Sequence, residues 1–268
     1  MKAIKNIKVN GYHIFKSIFT KKEIHDFYKA LPKKKANLQA NFFKTGTLHS
    51  SAKAILNLQS KNPIFLKLLT KDIFNKINSY FLNDKFYKGL SKNLPNYTLS
   101  QFAARSSGKD KLVIHIDDKA PSSSDNVNYL QWAIPMIDVN EKNGCTSLVP
   151  KSHKSGLLKP KLRKNLKQKN VIMNVGDVAV WDGRIWHQSL PNKSNEDRWV
   201  IIITFCKWFF KPHYDIARNF PKKYYSKLNK KLKIILGFAS IPKLNEKSGL
   251  VQRGDLKSAN KFIKNKFF

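Results

Sequence analysis

The chain has 268 residues, of which 41% are hydrophobic and 12% aromatic, and its formal net charge is +34. This length and composition exclude a disordered chain and allow one large domain with a full core. No window approaches the roughly 20 apolar residues that a membrane span needs, and the N-terminus lacks the apolar run of a signal peptide. Two cysteines, Cys145 and Cys206, do not make a disulfide framework. We therefore expect a soluble, cytoplasmic protein.

The positive charge admits two interpretations. A basic β-barrel protein without catalysis could use it to bind nucleic acid or an anionic surface. The basic residues, however, are nearly all lysines scattered from end to end, whereas phosphate and base recognition favours arginine. A general lysine and asparagine bias explains this distribution better than a binding patch, so we expect no nucleic-acid partner. The default expectation is a monomer that acts on a small-molecule substrate, which could be anionic.

The first 96 residues are predicted to form a mainly helical N-terminal part. Residues 11–15 are typical of a short strand, and Thr20 with Glu23 has the spacing of a capping box at the start of a helix. Apolar residues at helical spacing recur between residues 62 and 81. These segments offer packing surfaces but no chemistry.

From residue 97 to 210 the pattern changes to short apolar strands separated by turn signals such as Gly176-Asp177 and Pro191-Asn192. Frequent turns with few intervening helices favour a jelly roll over a parallel α/β sheet. Residues 211–268 are predicted to be a helical and irregular C-terminal extension, and no linker divides the chain, so we expect a single domain over 1–268. The predicted strands cover residues 97–104, 112–117, 127–138, 145–150, 171–175, 178–181 and 199–209.

An H-x-D sequence, with His115 and Asp117, lies within the predicted strand 112–117. Alternate residues of a strand point to the same face, so both side chains are expected to project together. His187 ends another strand-like segment, seventy positions after Asp117. Two imidazoles and one carboxylate match the facial triad of non-haem Fe(II) oxygenases, although the same residue types also serve zinc hydrolases.

Arg198 lies eleven positions after His187 and begins a further apolar strand. If the two strands pair as a hairpin, Arg198 lies inside the barrel near His187. A buried guanidinium without a partner is costly, which implies a resident anion such as a carboxylate. Ser189, two positions after His187 and so on its face, could add a hydroxyl donor. In the other interpretation, Arg198 pairs at the surface with Glu196 or Asp197.

Together these motifs resemble the phytanoyl-CoA dioxygenase family of Fe(II)/2-oxoglutarate oxygenases. The resemblance covers residues 8–210 and departs from the family at Lys151, where the family usually has glycine. It rests on His115-Ile116-Asp117, on the segment 143–153 (NGCTSLVPKSH), on Gly176-Asp177 ahead of His187, and on Ser189 and Arg198.

The resemblance implies a mainly β fold, a double-stranded β-helix of the jelly-roll, cupin-like type, with flanking N- and C-terminal helices. It implies that His115, Asp117 and His187 hold Fe(II) and are catalytic through the metal. It also implies that Arg198 and Ser189 anchor the cosubstrate 2-oxoglutarate.

By the same resemblance, Gln101 and Trp132 would line the cosubstrate site, on the strands before and after the H-x-D sequence. Related halogenases replace the ligating carboxylate with a small residue, whereas this chain keeps Asp117. The implied reaction is therefore an O2-dependent hydroxylation of an unactivated C–H bond, with release of succinate and CO2. The substrate itself stays open.

Overall fold

A computed structural model describes residues 2–38, 51–84, 86, 90, 93–158, 166–242 and 247 of the protein. The chain forms two compact units, Met1–Leu58 with Phe102–Thr204, and Gln59–Gln101 with Phe205–Phe268. The predicted C-terminal extension covers residues 211–268. Its part after residue 242, except residue 247, lies outside the described residues.

Antiparallel strands dominate the part of the chain that the structure describes. A larger sheet has the strand order β1-β8-β5-β10-β4-β3-β2, and a smaller sheet has the order β7-β6-β9. The strands are β1 (Tyr12–Phe15), β2 (Asn37–Leu38), β3 (Lys53–Leu56), β4 (Tyr97–Arg105), β5 (Tyr129–Pro135), β6 (Thr146–Leu148), β7 (Lys169–Val171), β8 (Val178–Asp182), β9 (His187–Ser189) and β10 (Val200–Lys207).

The strand β8 shows how the first unit builds its core. It pairs with β1 on one side and with β5 on the other, and all of its residues are buried. Ala179 and Trp181 belong to an apolar cluster that also contains Leu148 of the smaller sheet and Ile202 of β10. A leucine or isoleucine side chain contributes about 1.5–3 kcal/mol when it is fully buried. The cluster therefore stabilises residues of both sheets together.

Two α-helices lie in the described part of the first unit. In α2 (Lys21–Ala30) the predicted capping box is confirmed, because Glu23 N–H donates to Thr20 Oγ1 over 3.1 Å and Thr20 N–H donates to the Glu23 carboxylate over 2.8 Å. The sequence does not predict α1 (Lys2–Asn10), whose single buried residue is Ile7. This helix packs against β1 and β8, so tertiary contact rather than an apolar stripe stabilises it.

The second unit contains the other α-helices that the structure describes, and α3 packs against α7. A cavity of about 540 Å³ inside this unit is lined by aromatic and aliphatic side chains, among them Trp208, Phe210 and Leu236. Among the described residues no helix has the length and hydropathy that crossing a membrane requires. The helices of this unit are α3 (Leu66–Leu69), α4 (Asp72–Leu82), α5 (Ile216–Asn219), α6 (Lys222–Tyr225) and α7 (Lys230–Ile235).

Two sequence-based expectations differ from the structure. Before residue 97 the sequence predicts one strand, at residues 11–15, whereas the described residues form three, β1, β2 and β3, beside the helices. The predicted strand 112–117 is irregular and pairs with β9 through one isolated bridge, between His115 and His187. After that bridge, the N–H groups of Asp117 and Asp118 both donate to the carbonyl of Gly183. These two N–H groups therefore do not pair with β9.

The predicted turn at Gly176-Asp177 joins the β7–β8 connection to the segment after β1. The Gly176 carbonyl accepts from Ile18 N–H and Phe19 N–H over 2.8 and 3.0 Å. Gly176 has φ +99°, and a Cβ there would collide with the Phe19 carbonyl oxygen, so only glycine fits. The Asp177 carboxylate accepts from Lys16 Nζ (2.7 Å), Ser17 N–H (3.1 Å) and Asn174 N–H (3.0 Å).

Replacing Asp177 by asparagine is expected to remove a pH-dependent part of the stability. Burial raises the pKa of Asp177, but the hydrogen bonds from Lys16, Asn174 and Ser17 together hold it below its ordinary value. Because the folded-state pKa is lowered, this stabilisation is present above about pH 4 and is lost as the pH falls through the folded-state pKa. We expect Asp177→Asn to lower the free energy of unfolding by about 1–3 kcal/mol at pH 7 and by less at pH 2.

Urea unfolding at both pH values measures this difference. Asp125→Asn is the control, because the Asp125 side chain is 93% exposed. An equal loss at both pH values for Asp177→Asn would show that the carboxylate charge plays no part.

Candidate metal centre

His115, Asp117 and His187 come together within the first unit. One ligand atom from each residue lies within 4.8 Å of the other two. His187 Nε2 is 3.3 Å from Asp117 Oδ2, and His115 Nε2 is 3.9 Å from Asp117 Oδ1. The two imidazole ring centroids are 4.3 Å apart. Three potential ligands therefore face one small volume.

Backbone hydrogen bonds hold the three residues in this arrangement. His115 N–H donates to the His187 carbonyl, and His187 N–H donates to the His115 carbonyl, each over 2.9 Å. Asp117 N–H donates to the carbonyl of Gly183, in the turn after β8, over 2.8 Å. The positions of the ligand side chains thus follow from main-chain contacts made by the same residues.

Each imidazole uses Nδ1 for a contact with the protein and leaves Nε2 for a ligand. His115 Nδ1 lies 2.9 Å from the Val113 carbonyl, and His187 Nδ1 lies 3.0 Å from the Ile185 carbonyl. A carbonyl only accepts, so both Nδ1 atoms carry a proton, and in the neutral ring Nε2 then presents a lone pair to a ligand. Burial first, and then the neighbouring His187, lower the pKa of His115 to about 4, which keeps this ring neutral and able to ligate.

The donor set fits a divalent transition metal. Asp117 Oδ2 is buried and has no hydrogen-bond partner in the described part of the chain. A buried carboxylate oxygen in this state is costly unless a cation or donor satisfies it. Two neutral imidazoles and one carboxylate leave further coordination positions open, which suits Fe(II) and is also compatible with zinc.

A buried ion pair fixes the segment that follows Asp117. Asp182 and Arg184 are 1% and 3% exposed, and Arg184 Nη2 lies 2.7 Å from Asp182 Oδ2. Arg184 Nη1 also donates to the carbonyls of Ser122 and Ser124 over 3.0 and 2.6 Å. All of these contacts of the guanidinium are structural. They bind residues 122–124 to the turn after β8.

Arg198 is 5% exposed and lies beside β9. Its Nη2 donates to the Gly144 carbonyl and, over 3.2 Å, to Ser189 Oγ, whereas Nε has no partner among the described residues. Burial lowers the pKa of Arg198 to about 10, opposed by the Cys145 thiol. Asp197 does not pair with Arg198, because it binds Lys53 over 2.7 Å. The guanidinium thus has unused capacity for an anion.

One cavity of about 70 Å³ brings these groups together. It is lined by apolar side chains of β10 and by the polar residues His115, Asp117, His187, Ser189, Arg198, Arg105, Gln131 and Trp181.

The two remaining residues named from the sequence lie elsewhere. Gln101 is buried in β4 and is not among the residues that line the cavity. Trp132 points to the opposite face of β5, where its ring stacks on Phe15 with centroids 6.0 Å apart. Its neighbour Gln131 faces the cavity instead, and Thr204 Oγ1 donates to its amide oxygen over 2.9 Å. Every residue of β5 is buried, so no polar alternation in the sequence indicates which side faces the site.

The turn that carries Lys151 keeps the backbone that glycine would adopt. Lys151 has φ +68°, in the left-handed region, and its N–H donates to the Asn10 carbonyl over 3.0 Å. A side chain in this conformation costs roughly 1–2 kcal/mol. The neighbouring His153 contacts the Lys8 carbonyl through Nε2 over 3.1 Å, so its role is to hold this turn.

A sequence profile described as "Phytanoyl-CoA dioxygenase (PhyH)" matches residues 7–200. Several solved structures are similar in fold. The non-haem alpha-ketoglutarate-dependent epimerase SnoN is 16% identical with a TM-score of 0.59, covering 77% of this chain and 80% of its own. The carbocyclase SnoK, also from nogalamycin biosynthesis, is 16% identical with a TM-score of 0.58, covering 85% and 90%.

HygX from Streptomyces hygroscopicus, with nickel and 2-oxoglutarate bound, is 14% identical with a TM-score of 0.60 and covers 78% of this chain and 88% of its own. At such identities the likeness establishes the fold. The predicted mainly β, jelly-roll class is thereby confirmed.

Removing the Asp117 carboxylate is expected to weaken metal binding strongly. Loss of an outer-shell partner typically weakens metal affinity about 10–100-fold, and loss of a ligand should cost more. We expect Asp117→Ala to weaken Ni²⁺ binding by at least about 100-fold, as measured by calorimetric titration of the metal-free protein. Asp125→Ala removes an exposed carboxylate as the control. Equal Ni²⁺ affinities for the two variants would contradict the site.

Truncating Arg184 is expected to be far more costly than truncating an exposed arginine. Arg184→Met leaves the Asp182 carboxylate buried without its partner, which typically costs about 3–5 kcal/mol. Arg218→Met, which breaks an ion pair with Asp215 whose side chains are 40% and 43% exposed, should cost less than about 1 kcal/mol. Denaturant unfolding compares the two variants. Similar losses in the free energy of unfolding would mean that the buried ion pair stabilises the fold no more than the exposed one.

Proposed function

Because the chain belongs to the phytanoyl-CoA dioxygenase family, we propose that it is a non-haem iron, 2-oxoglutarate-dependent oxygenase that hydroxylates a C–H bond of a small molecule. One observation carries the proposal. The buried guanidinium of Arg198, with an unpaired Nε, lines the same cavity as the cluster of His115, Asp117 and His187.

The residues divide into two functional groups in this proposal. His115, Asp117 and His187 hold Fe(II), because they supply two neutral nitrogens and one carboxylate within reach of a single ion. Arg198 binds the distal carboxylate of 2-oxoglutarate, since a guanidinium can donate two parallel hydrogen bonds to a carboxylate. Ser189 already contacts Arg198 Nη2 and orients this end of the cavity.

When bound, Fe(II) with 2-oxoglutarate supplies the O2-activating oxidation that no amino-acid side chain provides. The protein contributes binding, orientation and exclusion of water. Val200 and Ile202 of β10 give the cavity an apolar wall. Such a wall strengthens the electrostatic contact between Arg198 and a carboxylate, because few waters compete there.

Hydroxylation is the finer part of the proposal. Asp117 keeps the carboxylate ligand that related halogenases lack, which supports oxygen transfer over halide transfer. The similar structures include an epimerase and a carbocyclase, so the fold accommodates other outcomes of the same oxidation. The identity of the product therefore decides between these outcomes.

The compartment and the substrate are also part of the proposal. Cys145 and Cys206 are buried as thiols and do not form a disulfide, which supports a reducing compartment, and we assign the enzyme to the cytoplasm. The proposed substrate is a free small molecule, because the cavity beside the three ligands is small and is lined by side chains of a single compact unit.

The test supplies Fe(II), 2-oxoglutarate and O2 with a panel of small molecules, and measures succinate together with the mass of each product. Hydroxylation adds one oxygen atom, ring closure removes two hydrogen atoms, and epimerisation leaves the mass unchanged. Succinate that forms without Fe(II), or persists in His187→Ala, would rule out the proposed centre. A product without added oxygen would replace hydroxylation by one of the other outcomes.

Truncating Arg198 is expected to weaken the use of 2-oxoglutarate. Arg198→Met removes a charge-assisted contact worth several kcal/mol, so the apparent KM for 2-oxoglutarate should rise by about 100-fold or more. The KM of Arg198→Lys should lie between that of the unaltered chain and that of Arg198→Met. An ammonium keeps the charge but lacks the planar pair of donors of a guanidinium. Rates of succinate formation against 2-oxoglutarate concentration measure this. An unchanged KM in Arg198→Met would exclude Arg198 from cosubstrate binding.

A further inference from the structure

The indole of Trp181 lines the metal cavity and has an unused hydrogen-bond donor. The residue is 1% exposed, and its Nε1 has no hydrogen-bond partner among the described residues. Its ring centroid lies 5.6 Å from that of His187. Buried indole N–H groups usually find a partner, because a buried donor without an acceptor pays its full desolvation cost.

The sheet fixes where this donor can point. Trp181 lies on β8 directly opposite Gln131 of β5, and both residues line the cavity. The Gln131 amide oxygen accepts from the Thr204 hydroxyl over 2.9 Å, and the indole N–H has no hydrogen bond to it. Trp181 also packs in the apolar cluster with Val200 and Ile202, which holds the ring in place.

The unpaired donors of the cavity call for an acceptor from outside the chain. Arg198 Nε and Trp181 Nε1 are the unpaired buried N–H donors among the described residues that line this cavity. Both donors line one cavity of about 70 Å³, so one small ligand can contact both of them. A dicarboxylate offers oxygen acceptors at both of its ends.

We propose that Trp181 Nε1–H donates a hydrogen bond to an oxygen at the metal-binding end of the bound 2-oxo acid, while Arg198 binds the opposite end. The assignment rests on the proposed cosubstrate. Trp181 lies at the metal end because its ring is next to that of His187, whereas the Arg198 guanidinium contacts Ser189, two residues further along β9. Trp181 thereby sets the orientation of the 2-oxo acid and not only its affinity.

Trp181→Phe tests the assignment, because it keeps an aromatic ring in the apolar cluster and removes the N–H. Binding is measured by calorimetric titration of 2-oxoglutarate into protein loaded with Ni²⁺, without turnover. A hydrogen bond to a charged acceptor predicts a Kd about 10–100-fold weaker in the variant, with Ni²⁺ affinity unchanged. Trp208→Phe, in the second unit, removes an indole N–H that contacts Asp84 and should leave the Kd unchanged.

A second ligand locates the contact. 2-Oxopentanoate has the same metal-binding end but lacks the distal carboxylate, so Trp181→Phe should weaken its binding by the same factor. If the factor disappears with 2-oxopentanoate, Trp181 contacts the distal carboxylate and the proposed end is wrong. An unchanged Kd for both ligands would overturn the proposal altogether.

An NMR measurement on the unaltered sequence covers the case in which Trp181→Phe does not fold. The chain has five tryptophans. The indole nitrogens are labelled and the protein is loaded with Zn²⁺. The indole N–H signal of Trp181 should move downfield when 2-oxoglutarate is added, and likewise in a separate sample that receives 2-oxopentanoate. Binding without such a shift would refute the hydrogen bond, whereas absence of any 2-oxoglutarate binding would refute the proposed function instead.

Discussion

The reciprocal backbone pairing of His115 and His187 is the constraint on which the site depends. Its two hydrogen bonds of 2.9 Å join an otherwise irregular segment to β9. Because Asp117 follows two residues later and is bonded to the Gly183 carbonyl, the same few main-chain contacts place all three ligand side chains. The burial of Asp182 with Arg184 then stiffens the turn that carries Gly183. Ligand geometry is therefore a property of the backbone more than of side-chain packing.

Unpaired polar atoms give the cavity its chemical character. An acceptor on Asp117 and donors on Arg198 and Trp181 are buried without partners, and a folded protein tolerates this cost where bound groups supply the missing partners. A cation beside the carboxylate and an anion beside the guanidinium satisfy these atoms together. Few of the residues behind the net charge of +34 contribute to the cavity. In the described part of the chain, its lysine or arginine lining consists of Arg105 and Arg198.

Much of the fold could be predicted because its signals are local. The capping box of Thr20 and Glu23, the glycine turn at Gly176 and most of the strands from residue 97 onward follow from neighbouring residues. The helix α1 and the strands β2 and β3 could not be predicted in this way. Each is short or has few apolar residues, and it is stabilised by partners distant in sequence.

The sequence by itself determined the residue types and spacing at the centre: two histidines, one aspartate and an arginine eleven positions after His187. Only the tertiary structure decided which neighbours share the cavity with them. On β5 both faces are buried, so composition cannot reveal that Gln131 faces the cavity while Trp132 packs against Phe15. The partners of a buried side chain depend on strand register and on contacts distant in sequence, and a single sequence does not encode these as a local pattern.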